Sequence, residues 1–185
     1  MIDCDFIYNH GNAGGGVGLE EDCSAVISGC TFDENEAFNG GGICCASSSP
    51  QIIGCTFARN YGTNGGAIIC ADGSSPAISN CILAHSVSGG AVHCGMSDEP
   101  EITHCAAFGN AGGDSLCGTY HDNLFVDPLF CNMGQGDLAL CANSQCLPGG
   151  NSWGELIGAR EQGCDDCSSS PVKDESWGSI KAMYR

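Results

Sequence analysis

Apolar residues recur along most of this chain in short alternating bursts, separated by glycine pairs and small polar turns. CTFDEN, CTFARN and CILAHS place Cys30 and Phe32, Cys55 and Phe57, and Cys81 and Leu83 on one side of a two-residue alternation. GGGI (40–43), GGAI (65–68) and GGAV (89–92) each lead to a cysteine two residues further on, at Cys45, Cys70 and Cys94. SSSPQI, SSPAI and DEPEI then lead into Ile52, Ile78 and Ile102. Every burst is too short for a helix, and its period of two is that of a strand with one buried face. The chemistry of these segments therefore waits on whether they occur once or in series.

They occur in series. The cysteines Cys4, Cys30, Cys55, Cys81 and Cys105 are separated by 26, 25, 26 and 24 residues, a period of the kind that marks stacked repeats. Each copy carries three short strands. Gly29, Gly54, Asn80 and His104 form a column between the first two, and such residues tolerate a left-handed backbone at a one-residue corner. The glycine pairs suit a second corner or a close approach of backbones. The predicted fold is all-β, a parallel β-helix of three short strands per coil of about 25 residues. Coils span 1–118, an irregular capping segment 119–167, and a Ser/Pro linker with a tail 168–185.

The repeated C-x-F-x-x-N and G-G-(A/G)-(I/V) elements resemble the right-handed parallel β-helix repeats of bacterial surface and secreted proteins. These include the polymorphic outer-membrane protein repeats, within the pectate-lyase-like superfold. The resemblance covers residues 1 to about 117 and weakens in the last two copies, where Leu83 and Ser86 replace Phe and Asn, and CAAFGN moves the Phe by one position. The run from NLFVDPLF to GELIGAREQGC resembles the closing segment of secreted bacterial β-helices. It is expected to cover the open end of the last coil with Leu124, Phe125, Val126, Leu129 and Phe130, because an uncovered coil exposes strand edges and an apolar floor. Met1 enters in mid-coil, which predicts that the chain continues an upstream solenoid or has a misassigned start.

Composition narrows the partners. The net charge is −17, and residues 1–158 hold 17 acidic side chains against one basic residue, Arg59. Such a surface repels phosphate backbones, so nucleic acid and anionic membrane are excluded as expected partners, and no apolar run is long enough for membrane insertion. Acidic clusters at Glu20, Glu21, Asp22 and at Asp98, Glu99, Glu101 offer oxygen ligands for calcium, although no EF-hand loop is present. No cofactor is expected otherwise. Sixteen cysteines point to an oxidising compartment, hence to a secreted or cell-surface protein, yet MIDCDF is not an export signal.

The repeated polar and sulfur residues read as scaffold. Stacked Asn9, Asn35, Asn60 and Asn110 are expected to hydrogen-bond one another and the backbone at a corner. The outward column Tyr8, Glu34, Arg59 and His85 reads as an exposed charge ladder worth ~1 kcal/mol at most. For Cys4, Cys30, Cys55, Cys81 and Cys105 two readings stay open, a buried thiol ladder and partial disulfide pairing; Cys45, Cys70 and Cys94 form a second structural column. Outside the repeats Cys131, Cys141, Cys146, Cys164 and Cys167 are read as disulfide-forming, the alternative being zinc on CDDC (164–167) with Cys141 and Cys146.

Enzymes of the resembled superfold need a basic residue beside a calcium-bound carboxylate, or clustered aspartates. Along the coils only Arg59 is basic, and His10, His85, His93, His104 and His121 fall in different columns with no evident nucleophile partner. No catalytic residue is assigned. The expected function is a non-catalytic spacer or adhesive scaffold whose partners are cell-surface glycans or proteins. The alternative is the C-terminal part of a polysaccharide lyase or hydrolase with its catalytic coils upstream.

Overall fold

The computed structural model describes residues 1–167; the predicted linker and tail at 168–185 lie outside the described residues. Three parallel sheets run the length of a coil stack. The isoleucine sheet contains Val26–Ser28, Gln51–Ile53, Ala77–Ser79, Glu101–Thr103 and Thr119–His121. Asp5–Ile7, Thr31–Asp33, Thr56–Ala58, Ile82–Ala84 and Ala106–Phe108 form the phenylalanine sheet. A third sheet, of Val17–Leu19, Ile43–Ala46, Ile68–Ala71 and Val92–Cys94, follows the glycine pairs.

Equivalent residues of successive repeats are paired throughout. Phe6 lies opposite Phe32, Phe32 opposite Phe57, Phe57 opposite Leu83 and Leu83 opposite Ala107. The shift of the Phe in the last copy therefore puts Ala107 in the column and Phe108 outside it. Ile27, Ile52, Ile78 and Ile102 stack likewise, as do Leu19, Cys45, Cys70 and Cys94. The rings of Phe6, Phe32 and Phe57 stack with centroids 4.8 and 4.6 Å apart, which is the spacing between hydrogen-bonded strands. Burying the Phe32 and Phe57 rings, both fully enclosed, stabilises the coil by about 1.5–3 kcal/mol each.

Single left-handed residues turn the chain. Gly29, Gly54, Asn80 and His104 have φ between +54° and +62°. After the phenylalanine strands the same conformation falls on Tyr8, Glu34, Arg59 and His85, with φ between +53° and +57°, a strained choice for side chains of that size. The glycine runs serve close packing too. A Cβ on Gly16 would lie 2.6 Å from the Phe32 ring, and one on Gly42 would lie 2.6 Å from Phe57. Alanine stands at the equivalent positions Ala67 and Ala91, where the residue next met in the phenylalanine column is the smaller Leu83 or Ala107.

Two features depart from the expected architecture. A fourth short strand, Glu36–Asn39, follows the Asn corner and pairs in parallel with Tyr61–Asn64. The capping segment covers the last coil with its first residues only: Thr119–His121 pairs with Glu101–Thr103, Leu124 bridges to Ala106, and Ile102, Cys105 and Ala107 are fully buried. Phe125 is 54% exposed and Tyr120, paired with Ile102, is 51% exposed, so these two rings form the end of the stack.

The rest of the segment folds back along the outer face of the phenylalanine sheet. Leu140, Cys146 and Ile157 are fully buried against Ile82, Ala84 and Ala106, flanked by Leu124, Phe130 and Trp153. The Ala159 amide donates to Thr56 Oγ1 at 2.9 Å, the Gly158 amide donates to the Asn80 carbonyl at 2.7 Å, and Arg160 pairs with Asp5 in the first strand of the sheet. The physical reason is visible in the outward positions of that sheet. Thr56, Ala58, Ile82, Ala84 and Ala106 are small or apolar, and leaving that face wet would expose it along the whole stack.

Candidate ligand-binding face

The fourth strands build a shallow surface on one flank. In Glu36–Asn39 and Tyr61–Asn64 the side chains alternate: Ala37 and Gly62 point inward, while Glu36, Phe38, Tyr61 and Thr63 point out. His10 bridges to Glu36 from the preceding coil, with its Nε2 4.0 Å from Glu36 Oε1. Together with Gly11 and Asn12 these residues line a groove of about 590 Å³. Phe38 is 59% exposed and Tyr61 43%, on strands held by ladder hydrogen bonds and by the 2.9 Å bond that Asn64 Nδ2 donates to Asn39 Oδ1. Two aromatic rings thus stand at fixed places among polar groups. Tyr61 stands in register with Glu36 and Ser88, so the aromatic side chain does not recur at that position, and that irregularity was the signal available in the sequence.

Behind the groove the Asn residues form a continuous ladder. Asn9 Nδ2 donates to Asn35 Oδ1 at 3.1 Å, and Asn35 Nδ2 donates to Asn60 Oδ1 at 3.1 Å. The Asn9 and Asn35 amides donate to the same two oxygens at 3.0 Å. Second protons on Asn35 and Asn60 reach the carbonyls of Phe6 and Phe32 at 2.8 Å. In the later copies Asn110 donates to the Leu83 carbonyl and accepts from the Ser86 amide, at 2.8 and 3.1 Å. The ladder fixes the backbone from which the groove strands start.

The outward column differs from an exposed ladder. Arg59 grips Asp33 through two nitrogens, Nε at 3.0 Å and Nη2 at 2.5 Å, and reaches Glu34 through Nη1 at 2.8 Å. The Asp33 side chain is only 4% exposed, and Asp33 lines a small pocket together with Gly136, Asp137, Leu138 and Ala139 of the folded-back segment. His85 is packed edge-on against Phe108, with centroids 5.7 Å apart, and near Phe130. Burial holds its imidazole below the usual histidine range, helped by Arg59 and opposed by Asp127 and Asp114. His104 lies against Trp153, and His121 bonds Asp122. No two of the five histidines meet.

Cysteines divide into two groups. Cys4, Cys30, Cys55, Cys81 and Cys105 carry free thiols whose Sγ–H groups donate to backbone carbonyls, as Cys55 does to Ile53 at 3.4 Å. Cys45 and Cys70 are also free and buried; burial pushes the Cys70 thiol up to about 12 and Cys45 further. Cys94 leaves its column's pattern and is bonded to Cys117, while Cys131–Cys164 and Cys141–Cys167 close the back-folded segment. Cys146 takes no part: it is a fully buried free thiol in the second core, pushed up to about 12 by burial, so the disulfide expected for it from sequence is corrected. Of the acidic clusters, Asp98 is buried and accepts from the amides of Gly73, Ser74 and Gly95, which engages both carboxylate oxygens.

In-register parallel strands, one-residue left-handed corners and an interior asparagine ladder define a parallel β-solenoid. The model of the right handed beta helix region matches residues 1–130, and the chain belongs to that family. No curated protein and no solved structure matches it.

Proposed function

We propose that the chain is a non-catalytic β-helix module that presents the groove around Phe38 and Tyr61 to neutral or amino-sugar glycans at a cell surface. The observation that carries the reading is the pair of exposed rings on hydrogen-bonded strands, interleaved with His10, Asn12, Glu36 and Thr63. An apolar ring face covers the C–H face of a sugar while flanking polar groups meet its hydroxyls, and little order is lost on binding because the strands are already fixed. The groove carries Glu36 on a chain of net charge −17, which disfavours uronate or sulfated glycans.

Export is supported by the three disulfides rather than by the full cysteine count, since ten cysteines are free thiols and eight of those are buried. The test is a glycan array probed with the chain and with Phe38→Ala and Tyr61→Ala. Neutral or amino-sugar signals that fall at least tenfold in both variants, with unchanged circular dichroism, support the proposal. Equal binding by the variants, or no signal on any glycan, overturns it. Release of unsaturated products from polyuronate would replace it with the lyase alternative.

A further inference from the structure

The back-folded segment draws four sulfurs from three separate stretches into one cluster. Cys141 ends the strand Asp137–Cys141 and lies in register with Cys164, the last residue of Gln162–Cys164. Cys131 is central in Phe130–Asn132, which pairs with the same strand from its other side. Cys167 is brought in by two bonds with Asn143: its amide donates to Asn143 Oδ1 at 3.0 Å, and Asn143 Nδ2 donates to its carbonyl at 2.8 Å. The two disulfides are therefore in contact. Cys164 Sγ lies 3.5 Å from Cys141 Sγ and 3.9 Å from Cys167 Sγ, across the non-bonded gap. The sulfurs of Cys131, Cys141 and Cys164 all lie within 4.8 Å of one another.

A zinc ion held by four thiolates has Zn–S distances near 2.3 Å, so its sulfurs are roughly 3.8 Å apart along each tetrahedral edge. Two of the non-bonded separations here bracket that value. Once reduced, the bonded pairs must open to that value and the Cys167 sulfur, which lies beyond 4.8 Å from that of Cys131, must approach it, while the β-strands and Asn143 hold the backbones. Four soft sulfur donors select zinc over calcium or magnesium.

The geometry points to a redox-exchangeable metal site, in which Cys131, Cys141, Cys164 and Cys167 hold one Zn²⁺ when reduced and two disulfides when oxidised. Two equivalents of a dithiol each deliver two electrons and two protons, close to cyclic disulfides, and leave four protein thiols. One Zn²⁺ then displaces four protons to give the tetrathiolate. On oxidation two equivalents of a small-molecule disulfide accept two electrons each and leave as four thiolates, the zinc leaves, and the same pairs re-form. The back-folded segment thus has a covalent clamp in one redox state and a metal clamp in the other.

The full chain is reduced anaerobically with a trialkylphosphine, which takes one water per disulfide and becomes the phosphine oxide, and is titrated with Co²⁺ and then Zn²⁺. One equivalent of Co²⁺ with tetrahedral thiolate absorption, displaced by Zn²⁺ and absent from the oxidised chain, is expected. Cys131→Ser and Cys167→Ser should abolish the bands, and Cys146→Ser should leave them. As a readout independent of variant folding, alkylation mapping of the reduced wild-type chain should show zinc protecting these four cysteines. Absence of stoichiometric bands, or zinc protection of Cys146 in place of Cys131, overturns the proposal.

Discussion

Asn60→Ala removes a fully buried rung of the interior ladder, and its cost can be worked from the bonds it breaks. The Asn60 side chain is fully buried; its Oδ1 accepts from both the amide and Nδ2 of Asn35, and its Nδ2 serves the Phe32 carbonyl. Truncation leaves two N–H donors of Asn35 without partners in a buried corner. At roughly 1–3 kcal/mol for each orphaned group, the loss is about 4 kcal/mol, a large part of the ~5–15 kcal/mol that holds a domain together. Asn64→Ala supplies the comparison, because Asn64 makes a half-buried bond to Asn39 and leaves its partner near water; its expected loss is below about 1 kcal/mol. Urea unfolding followed by far-UV circular dichroism, with m-values compared, measures both. If Asn60→Ala costs less than about 1 kcal/mol, or no more than Asn64→Ala, the ladder does not hold the coils and the argument from orphaned donors fails.

Gly42→Ala should destabilise the chain by about 1–3 kcal/mol through overpacking against Phe57 and the Ala67 carbonyl, both 2.6 Å from the added Cβ; combining it with Phe57→Leu should recover part of that loss in a double-mutant cycle of urea midpoints. His85 carries a folded-state pKa below its unfolded value of ~6.5, so the unfolded chain takes the proton first: stability is full above about pH 6.5 and declines as pH falls through the folded pKa. His85→Asn, which tolerates the left-handed corner, should flatten the urea midpoint between about pH 7 and pH 5, a window above most carboxylate titration. Thiol counting without reductant should find ten reactive groups after denaturation and sixteen once disulfides are reduced; in the native chain at mildly alkaline pH, half-buried Cys4 and Cys23 should react well ahead of Cys70 and Cys146.

The repeat was legible because each coil repeats the same local problem. A strand that buries one face against the coil above and below needs Ile, Phe or Cys at alternate positions, and a corner needs a residue that accepts positive φ, so the cysteine period carried the strand register from Phe6 to Ala107. The pairing of Gly16 and Gly42 with Phe32 and Phe57, and of Ala67 and Ala91 with Leu83 and Ala107, is also written in the sequence. It becomes readable only when the stacking direction is known. Larger departures arose where contacts join residues far apart in the chain. Arg59 looked like an exposed rung because its column neighbours are polar; in the fold it is held by Asp33 and Glu34, and Asp33 lines a pocket with Gly136, Asp137, Leu138 and Ala139, about 100 residues later.

What the sequence determined by itself is the coil: strand alternation, corner residues and period are local, and each coil's neighbours are its nearest repeats. Only the tertiary structure decided what the non-repeating segment covers. Nothing periodic links Ile157 to Ile82, Arg160 to Asp5, or Cys131 to Cys164. Those contacts form because the outer face of the phenylalanine sheet is too apolar to leave in water, and the segment that covers it brings four sulfurs together where spacing alone had selected a different fourth cysteine.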